Sequence, residues 1–242
     1  MVLIISDIHY FKDHMLIFAD YKTPDKHRHF AKHLILGLDS EMECTVESEE
    51  IICRGICIQS NALHTVSTKT AKTLVLLIDE KSETSSLLNQ LYLQGKQYKI
   101  LDERLVEQIA DLCRDRTDIE VLDKKILSAC KIANSSPVCF DDRINDVLLA
   151  IDTSDCIDEN IFKYLCNVAC LSQSRLSHLF REQVKIPLAS YLVIAKMKKN
   201  YQYVLKGENL TTASVHAGFH SASHYAETCR KMFGLSFSDY SK

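Results

Sequence analysis

The sequence has no segment that would place it in a membrane or direct it out of the cell. No apolar run approaches the roughly 18 residues that a transmembrane helix requires. The N-terminal MVLIISDIHY reaches Asp7 and His9 after a short apolar stretch, which is too short for a signal peptide. We therefore expect a cytoplasmic protein, and its 242 residues suffice for one large domain or two ordinary ones.

The sequence also lacks the common signatures of metal–thiolate sites and of enzymes. Its ten cysteines include no CxxC pair, and the pairs Cys53/Cys57 and Cys166/Cys170 have a spacing that suits small buried residues better than metal ligands. No GxSxG, P-loop, HExxH or GxGxxG motif occurs. We therefore expect no disulfide, no zinc–cysteine site, no catalytic residue and no cofactor.

Charge is distributed unevenly along the chain. Residues 159–242 hold eleven Lys or Arg and five Asp or Glu, whereas residues 1–158 hold eighteen and twenty-seven. The net charge of −3 therefore combines an acidic N-terminal part with a basic C-terminal part. This asymmetry is typical of a regulatory part joined to a part that binds nucleic acid.

The N-terminal 82 residues consist of short segments with the composition of β-strands. These segments are β-branched or alternate between apolar and polar positions, and turn-prone residues separate them. The predicted strands are MVLII, MLIFADY, KHLILGL, EMECTV, IICRGICIQ and TLVLLID. Short strands at this spacing predict a small β-barrel or sandwich over residues 1–82.

Residues 83–136 change to a helical pattern. SSLLNQLYL, DERLVEQIADLCRD and DIEVLDKKILSACKIA carry apolar residues three and four apart, and Asp102 is expected to cap the second of these helices. The helices either cover the barrel or form an amphipathic seam for a second subunit. ANSSP, at residues 133–137, is the best candidate for a linker.

A short pattern occurs twice in the C-terminal part. FREQVKIPLASY begins at Phe180, and CRKMFGLSFSDY begins at Cys229. A short helix, a tight turn and a second helix are predicted around each copy. The apolar frame of the first copy is Leu165, Ala169, Leu171, Leu176 and Phe180, and that of the second is Ala213, Ala217, Phe219, Tyr225 and Cys229.

The turns and caps of the two copies also correspond. Gly218 permits a left-handed turn where Cys170 stands in the first copy, and Ser172 and Ser221 are expected to cap the second helix of each copy. A helix predicted over ASYLVIAKMKKNYQYVLKG joins the copies. About fifteen helical residues span roughly 22 Å, so two helix-turn-helices joined in this way can reach successive major grooves of DNA.

Residues 141–242 resemble the DNA-binding domain of the AraC/XylS family of transcriptional regulators. LSQSRLSHLFREQVKIPLASYL and LTTASVHAGFHSASHYAETCRKMFGLSFSDY carry the resemblance. The second segment contains the family signature as Gly218-Phe219, Phe233-Gly234 and Tyr240. The resemblance implies a bacterial one-component regulator that binds promoter DNA sequence-specifically. A homodimer is a candidate assembly, and RNA polymerase is a further partner if the protein is an activator.

The same resemblance implies the fold and its division into domains. The expected class is α+β, with an N-terminal cupin-like small β-barrel and following helices, and a C-terminal all-α domain with two helix-turn-helix units joined by a linking helix. The expected domains are a sensory barrel at 1–82, a helical linker or dimerisation segment at 83–136, and the DNA-binding domain at 137–242.

Several positions depart from the pattern of that family. Lys185 stands where glycine is usual, Lys196 where arginine is usual, and Asn200 where alanine is usual. Ala213-Ser214 stand where isoleucine-alanine is usual, and Phe237 stands where proline is usual. Lys196 keeps the charge and loses the planar guanidinium. We expect these changes to preserve the fold and to lower its stability.

The resemblance also indicates which side chains face DNA. The base-facing positions on the recognition helices 172–182 and 221–231 are Ser174, Arg175, Ser177, His178, Ser223, His224 and Glu227. The residues expected at phosphates are Ser172, Arg181, Lys196, Lys198, Lys199, Ser221, Arg230 and Lys231. Because arginine is the commonest base reader and glutamate repels phosphate, we expect the first recognition helix to dominate.

Histidines are concentrated in the predicted barrel. His27, His29 and His33 lie in KHRHFAKH, and His64 lies in SNALHTV; this stretch resembles the sensory cupin-like domain of many bacterial regulators. His27, His29 and His64 could supply three metal nitrogens, and the alternative is that they pack in the sheet or lie at the surface. Enzymatic cupins add a glutamate soon after the histidine pair, and none occurs here before Glu41.

Two other functions are compatible with the sequence. One is a metal-dependent cupin enzyme or sensor that uses His27, His29 and His64 and requires stoichiometric metal. The other is a protein-binding adaptor that kept the fold and lost DNA readout, as Glu227 and the serine-rich recognition helices would allow; salt-dependent DNA binding would exclude it. The barrel is the expected place for a small-molecule effector or a metal ion.

Overall fold

The chain divides into two compact units. One comprises residues 1–138 together with 229–242 and is called the β-rich unit below; the other comprises residues 139–228 and is called the helical unit. The fold class is α+β, as the sequence predicts. Among the described residues, no helix combines the length and the apolar character needed to span a membrane. The computed structural model describes residues 5–11, 13–19, 25–68, 72–114, 118–133 and 139–233.

Two antiparallel sheets form the β-rich unit. The strands are β1 (Ile5–Tyr10), β2 (His14–Ala19), β3 (Ala31–Gly37), β4 (Met42–Val46), β5 (Glu49–Cys53), β6 (Gly55–Ile58), β7 (His64–Ser67), β8 (Thr73–Asp79) and β9 (Tyr98–Ile100). The larger sheet has the order β1-β2-β8-β3-β6-β9, and the smaller sheet has the order β5-β4-β7. The first predicted strand, MVLII, lies outside the described residues except for Ile5.

Three helices of the β-rich unit cover the larger sheet. They are α1 (Glu83–Leu88), which continues into a π-helical turn (Asn89–Leu93), α2 (Glu103–Arg114) and α3 (Ile119–Ala129). One apolar core contains Leu34 and Leu76 of the sheet together with Ile109 and Ile126 of the helices. Covering the sheet is therefore a role of these helices, as one of the two sequence interpretations proposed.

The position of a strand between layers explains its pattern of apolar residues. In β3, Leu34 and Leu36 belong to the core under the helices, whereas Ile35 belongs to the core between the sheets. Both faces of β3 are covered, so apolar residues occur without alternation. β4 has one covered face, and its buried Met42 and Cys44 alternate with polar residues.

The segment IICRGICIQ, read from sequence as one strand, is two strands in different sheets. β5 ends at Cys53 and β6 begins at Gly55. A Cβ at Gly55 would collide with the side chain of Val106 in α2, so glycine lets the chain pass close to this helix as it changes sheets. Arg54 lies between the two strands, and its Nη1 donates a hydrogen bond to Oε2 of Glu107 in α2 at 2.6 Å, which holds this bend of the chain against the helix.

A buried charged cluster connects the larger sheet to α3. Nε2 of His14 lies 2.7 Å from Oδ1 of Asp123, and Nδ1 of His14 lies 2.9 Å from Oδ1 of Asp13. Burial alone would lower the pKa of His14, but the hydrogen bonds and charges of the two carboxylates outweigh it and raise the pKa to about 9. His14 is therefore charged at neutral pH and holds β2 against α3.

The C-terminal part of the chain is helical. Its helices are α4 (Asp142–Thr153), α5 (Ile161–Val168), α6 (Gln173–Val184), α7 (Leu188–Leu205), α8 (Leu210–His216) and α9 (Ala222–Phe233), the last of which continues past the helical unit. Most of the predicted linker 133–137 lies outside the described residues, and the domain boundaries at 82/83 and 136/137 stay predictions.

Candidate nucleic-acid interface and histidine cluster

The first helix-turn-helix consists of α5 and α6. Cys170 in its turn has a left-handed backbone with φ of 50°. The N–H of Cys170 donates to the carbonyl oxygen of Asn167 at 3.1 Å, and the N–H of Leu171 donates to that of Cys166 at 3.0 Å. These two bonds close α5 and turn the chain into α6.

The second helix-turn-helix, α8 and α9, repeats this turn. Gly218 has φ of 100°, its N–H donates to the carbonyl oxygen of Val215 at 3.0 Å, and the N–H of Phe219 donates to that of Ser214 at 2.9 Å. The predicted correspondence between Gly218 and Cys170 is confirmed, because both residues occupy the left-handed position of the same hydrogen-bonded turn.

Serine side chains cap both recognition helices. Oγ of Ser172 accepts a hydrogen bond from the N–H of Arg175 at 3.5 Å, and Oγ of Ser221 accepts one from the N–H of His224 at 3.1 Å. Both caps were predicted. They leave other N–H groups at each helix start available to an anion such as a DNA phosphate.

The aromatic residues of the repeat lie inside the helical unit. The rings of Phe180 and Tyr191 have centroids 5.4 Å apart, and those of Phe219 and Tyr225 have centroids 5.1 Å apart. All four residues are buried. They therefore fix the two helix-turn-helices and do not offer rings on which bases could stack.

The outer face of α6 carries the residues assigned to base contacts in the first helix-turn-helix. Ser174, Arg175 and His178 are exposed, and Ser177 is half-buried. Nδ1 of His178 lies 3.8 Å from Oε2 of Glu182, which is also exposed. Two side chains that can donate hydrogen bonds to base edges, Arg175 and His178, are thus exposed on α6.

The corresponding face of α9 has a different character. Ser223 and Glu227 are exposed, whereas His224 is half-buried. Nδ1 of His224 accepts a hydrogen bond from the N–H of His220 at 3.5 Å, and the two rings stack with centroids 5.3 Å apart. His224 therefore takes part in the packing of the helix start, and Glu227 is the exposed charged residue among the three assigned base-facing positions of α9.

The cations expected at phosphates fall into two groups. Nζ of Lys196 donates to the carbonyl oxygen of Gly218 at 2.8 Å, and Nζ of Lys199 donates to that of Asp152 at 3.2 Å. Burial lowers the pKa of both lysines. Each ammonium group thus uses one of its three N–H donors on a carbonyl oxygen of the protein, and the predicted phosphate contacts of both lysines stay predictions. Arg181, Arg230 and Lys231 are exposed, and Lys198 is half-buried.

Two departures from the family pattern form a buried polar pair. Nδ2 of Asn200 in α7 donates to Oγ of Ser214 in α8 at 3.0 Å, and that Oγ donates to the carbonyl oxygen of Leu210 at 2.7 Å. Asn200 and Ser214 are fully buried. Ser214 therefore satisfies the amide nitrogen of Asn200, whereas Oδ1 of Asn200 is buried with no hydrogen-bond partner among the described residues. Spacing along the sequence did not indicate this pair.

A third departure is accommodated by the backbone. Lys185 ends α6 with φ of 69°, in the left-handed position where the family usually has glycine. Its Nζ donates to the carbonyl oxygen of Glu182 at 2.8 Å. The side chain thus compensates in part for the strain of a non-glycine residue at this position.

The three predicted metal ligands meet inside the β-rich unit. Each of His27, His29 and His64 offers a ring nitrogen, and these nitrogens lie within 4.8 Å of one another. His33 joins them, since its Nε2 lies 2.7 Å from Nε2 of His29. No role is predicted for His33 from the sequence. The sequence does contain an indication for His33, because His33 follows the pair His27 and His29 in the region where enzymatic cupins carry a glutamate ligand.

Burial keeps these imidazoles neutral. It lowers the pKa of His27 to about 4, with a further contribution from the charge of His64, and it lowers the pKa of His29 and His33 well below the usual value. Burial lowers the pKa of His64 as well. Neutral imidazole is the form that binds metal ions.

Two helix-turn-helices of matching geometry, joined by a helix of 18 residues, define the class of this protein as a DNA-binding transcriptional regulator. Residues 165–242 match the family model described as a helix-turn-helix domain, and this segment is an AraC-type helix-turn-helix domain. The side chain of Phe233, and all of Gly234 and Tyr240 from the family signature, lie outside the described residues. No curated protein sequence matches the chain.

The fold extends this likeness to nearly the whole chain. An apo form of ToxT from Vibrio cholerae is 10% identical and has a TM-score of 0.61, and the alignment covers 96% of this chain and 97% of that one. ToxT bound to an unsaturated fatty acid is 11% identical, with a TM-score of 0.53 and coverage of 94% of each chain. This chain therefore shares with ToxT a fold with N-terminal antiparallel sheets followed by a helical helix-turn-helix part.

Proposed function

We propose that this chain is a bacterial one-component regulator that recognises its promoter mainly through α6 and uses α9 mainly to position the protein. The observation that carries this proposal is the contrast between the two exposed faces. At its base-facing positions α6 presents Arg175 and His178, which can donate to guanine and to phosphate, whereas the base-facing positions of α9 hold Ser223, His224 and Glu227, and its exposed cations Arg230 and Lys231 lie in the last turn. Ser174, Ser177, Ser223 and His224 complete the proposed base-facing set.

Contacts to phosphate are proposed to come mainly from the cations whose ammonium or guanidinium groups lie toward solvent, with Lys196 and Lys199 as further candidates. Arg181 lies in the last turn of α6, Lys198 lies in α7, and Arg230 and Lys231 lie in the last turn of α9. The capped helix starts at Ser172 and Ser221 add backbone donors. Each DNA phosphate that a lysine or arginine neutralises adds about one unit to the slope of log affinity against log salt concentration.

The β-rich unit is proposed to receive the signal that changes promoter occupancy. One of the ToxT structures holds an unsaturated fatty acid, and effector binding is the role proposed for the β-rich unit here. We infer that the protein acts by binding and not by catalysis, in the cytoplasm, as a homodimer, with RNA polymerase as a partner if it activates.

The test is a titration of the purified full chain against labelled fragments of its own upstream region at two salt concentrations. Selective binding that weakens steeply with salt is expected. Arg175→Ala should then weaken binding to the selected fragment about 5- to 100-fold, as for loss of one base-reading arginine. Binding to an unrelated fragment should change much less.

Arg143→Ala is the matched control. Arg143 is an exposed arginine of α4 that pairs with Asp141 at 2.7 Å, so its loss removes the same charge outside both helix-turn-helices. Equal effects of the two substitutions would contradict recognition by α6. Absence of salt-dependent binding at every condition would favour the protein-binding adaptor.

A further inference from the structure

Four histidines meet where the segment before β3 crosses the start of β7. His27 and His64 form an isolated antiparallel bridge, with N–H to carbonyl oxygen distances of 3.0 and 2.9 Å. The carbonyl oxygen of His29 accepts from the N–H of Asn61 at 2.9 Å, and His33 follows on β3. The backbone therefore fixes three of the four residues by hydrogen bonds between two chain segments.

The four rings form one compact group. The centroids of His27 and His64 are 4.4 Å apart, those of His33 and His64 are 4.5 Å apart, and those of His29 and His33 are 4.3 Å apart. All four residues are at most 9% exposed. A group of buried imidazoles this dense is unusual for a core, because each ring carries polar nitrogens that need partners.

Backbone carbonyl groups orient two of these rings. Nδ1 of His27 lies 2.9 Å from the carbonyl oxygen of Asp25, and Nδ1 of His64 lies 3.0 Å from that of Ala62. A carbonyl oxygen only accepts, so each Nδ1 donates its proton, and Nε2 on the far side of the ring keeps its lone pair. Metal-binding histidines are commonly held in this way.

The other two rings compete for one proton. Nε2 of His29 and Nε2 of His33 are 2.7 Å apart, so only one of these nitrogens carries a hydrogen between them. Nδ1 of His33 is buried and has no hydrogen-bond partner in the part of the chain that the structure describes. With a metal ion in place of the proton between the two Nε2 atoms, both of these nitrogens would donate lone pairs to the ion, and Nδ1 of His33 would carry the ring proton.

We propose that His27, His29 and His64 bind one divalent first-row transition-metal ion, with His33 as the fourth ligand. Neutral imidazole nitrogens suit Zn²⁺, Co²⁺ or Ni²⁺ and not Mg²⁺ or Ca²⁺, which prefer oxygen. Four nitrogens at about 2.0–2.1 Å from Zn²⁺ lie roughly 3.3 Å apart in a tetrahedron. In the structure one nitrogen each of His27, His29 and His64 lies within 4.8 Å of the others, and Nε2 of His33 lies 2.7 Å from Nε2 of His29. The rings would therefore have to turn toward a common centre, with the ion in place of the proton between His29 and His33.

The site goes beyond DNA binding and does not depend on it. It differs from the three-histidine and glutamate set of enzymatic cupins, because His33 takes the place of the carboxylate. A site closed by four protein ligands is typical of a structural or sensing ion, whereas a catalytic ion keeps an open position.

The experiment measures metal uptake by the full chain. Protein stripped with a chelator is equilibrated with Zn²⁺ or Co²⁺, dialysed against buffer and analysed for bound metal; Mg²⁺ serves as the comparison ion. One Zn²⁺ or Co²⁺ per chain and no Mg²⁺ are expected, with a rise in melting temperature because the ion binds the folded state. Lack of stoichiometric uptake by the folded protein would overturn the proposal.

X-ray absorption of the zinc-loaded wild-type protein identifies the ligands without any substitution. Nitrogen neighbours with imidazole scattering are expected. Sulfur neighbours would overturn the proposal, since the chain has ten free cysteines that could bind metal instead. Four imidazoles would confirm His33 as a ligand, whereas three with a water would contradict its assignment.

Substitutions locate the ion. His27→Ala and His64→Ala should abolish stoichiometric uptake, and His33→Ala should weaken it about 10- to 100-fold. His216→Ala is the matched control, because His216 is exposed and pairs with Glu208 at 2.9 Å; its uptake should equal that of the wild type. Circular dichroism of each variant verifies folding, and wild-type uptake by folded His27→Ala protein would place the ion elsewhere.

Discussion

The two helix-turn-helices close the same turn with different residues. Cys170 and Gly218 both have a left-handed backbone and both lie within the same pair of hydrogen bonds. In the second turn another part of the chain approaches the Cα, since a Cβ at Gly218 would collide with the carbonyl oxygen of Ile157, whereas Cys170 carries a side chain and is exposed. Glycine is therefore required there by close packing, whereas positive φ alone does not require it.

The largest expected effect comes from Gly218→Ala. The substitution combines left-handed strain of about 1–2 kcal/mol with a collision against backbone that cannot move away cheaply. We expect a loss of about 3 kcal/mol or more in the free energy of unfolding, measured by urea denaturation of the full chain.

Gly207→Ala separates the two causes. Gly207 has φ of 95°, and no atom lies within 4 Å of a Cβ built on it. This substitution should cost only the backbone strain of about 1–2 kcal/mol. If both alanine variants lose the same free energy of unfolding, the close approach of Ile157 contributes nothing to the loss at Gly218.

The next effect concerns the pair that links α7 to the second helix-turn-helix. Ser214→Ala leaves the amide of Asn200 buried without its acceptor, which should cost about 1–3 kcal/mol in the free energy of unfolding. Asn200→Ala in the same chain should restore part of this loss, because the unpaired amide is then gone. A double-mutant cycle measures the coupling, and additive single effects would show that the pair has no energetic role.

A smaller effect of opposite sign is expected from Cys170→Gly. Glycine removes the left-handed strain of about 1–2 kcal/mol and adds about 0.5–1 kcal/mol of backbone entropy to the unfolded chain. The net result should be a gain of up to about 1 kcal/mol in stability, seen as a higher urea midpoint. A loss of stability would mean that the thiol contributes more to the turn than its exposure suggests.

The smallest effect separates the two recognition helices in DNA binding. Glu227→Ala should leave affinity for a promoter fragment unchanged or raise it about twofold, because a negative charge near phosphate is removed. Glu159→Ala removes an exposed negative charge before α5 and serves as the control. A large loss of affinity on Glu227→Ala alone would instead identify Glu227 as a base reader that accepts from cytosine.

The sequence predicted the helical part well because its determinants are local. The left-handed residue, the serine caps and the spacing of buried apolar residues all act within one turn of chain, so Ser172, Ser221 and Gly218 were found in their predicted places. The hydrogen bonds of Lys196 and Lys199 to carbonyl oxygens were not predicted, because their acceptors, Gly218 and Asp152, are far away in sequence.

The β-rich part was harder to predict because its determinants are not local. IICRGICIQ reads as one apolar run, yet contact between Gly55 and Val106 of α2 divides it between two sheets. β9, Tyr98–Ile100, has only three residues and is defined by pairing with β6. His27, His29 and His64 were singled out as a His-x-His pair with a distant histidine, whereas the proximity of His33 to them depends on the antiparallel bridge between His27 and His64.

The length of α7 has a geometric consequence for DNA. Every residue of a helix advances the chain by about 1.5 Å and turns it by about 100°. Insertion of one residue into the 18 of α7 would therefore rotate the second helix-turn-helix about the axis of α7 by more than a quarter turn. The same insertion would move it along that axis by less than half a base-pair step. The residue count of α7 thus sets the angular phase between the two half-sites on the double helix, and the distance between them hardly at all.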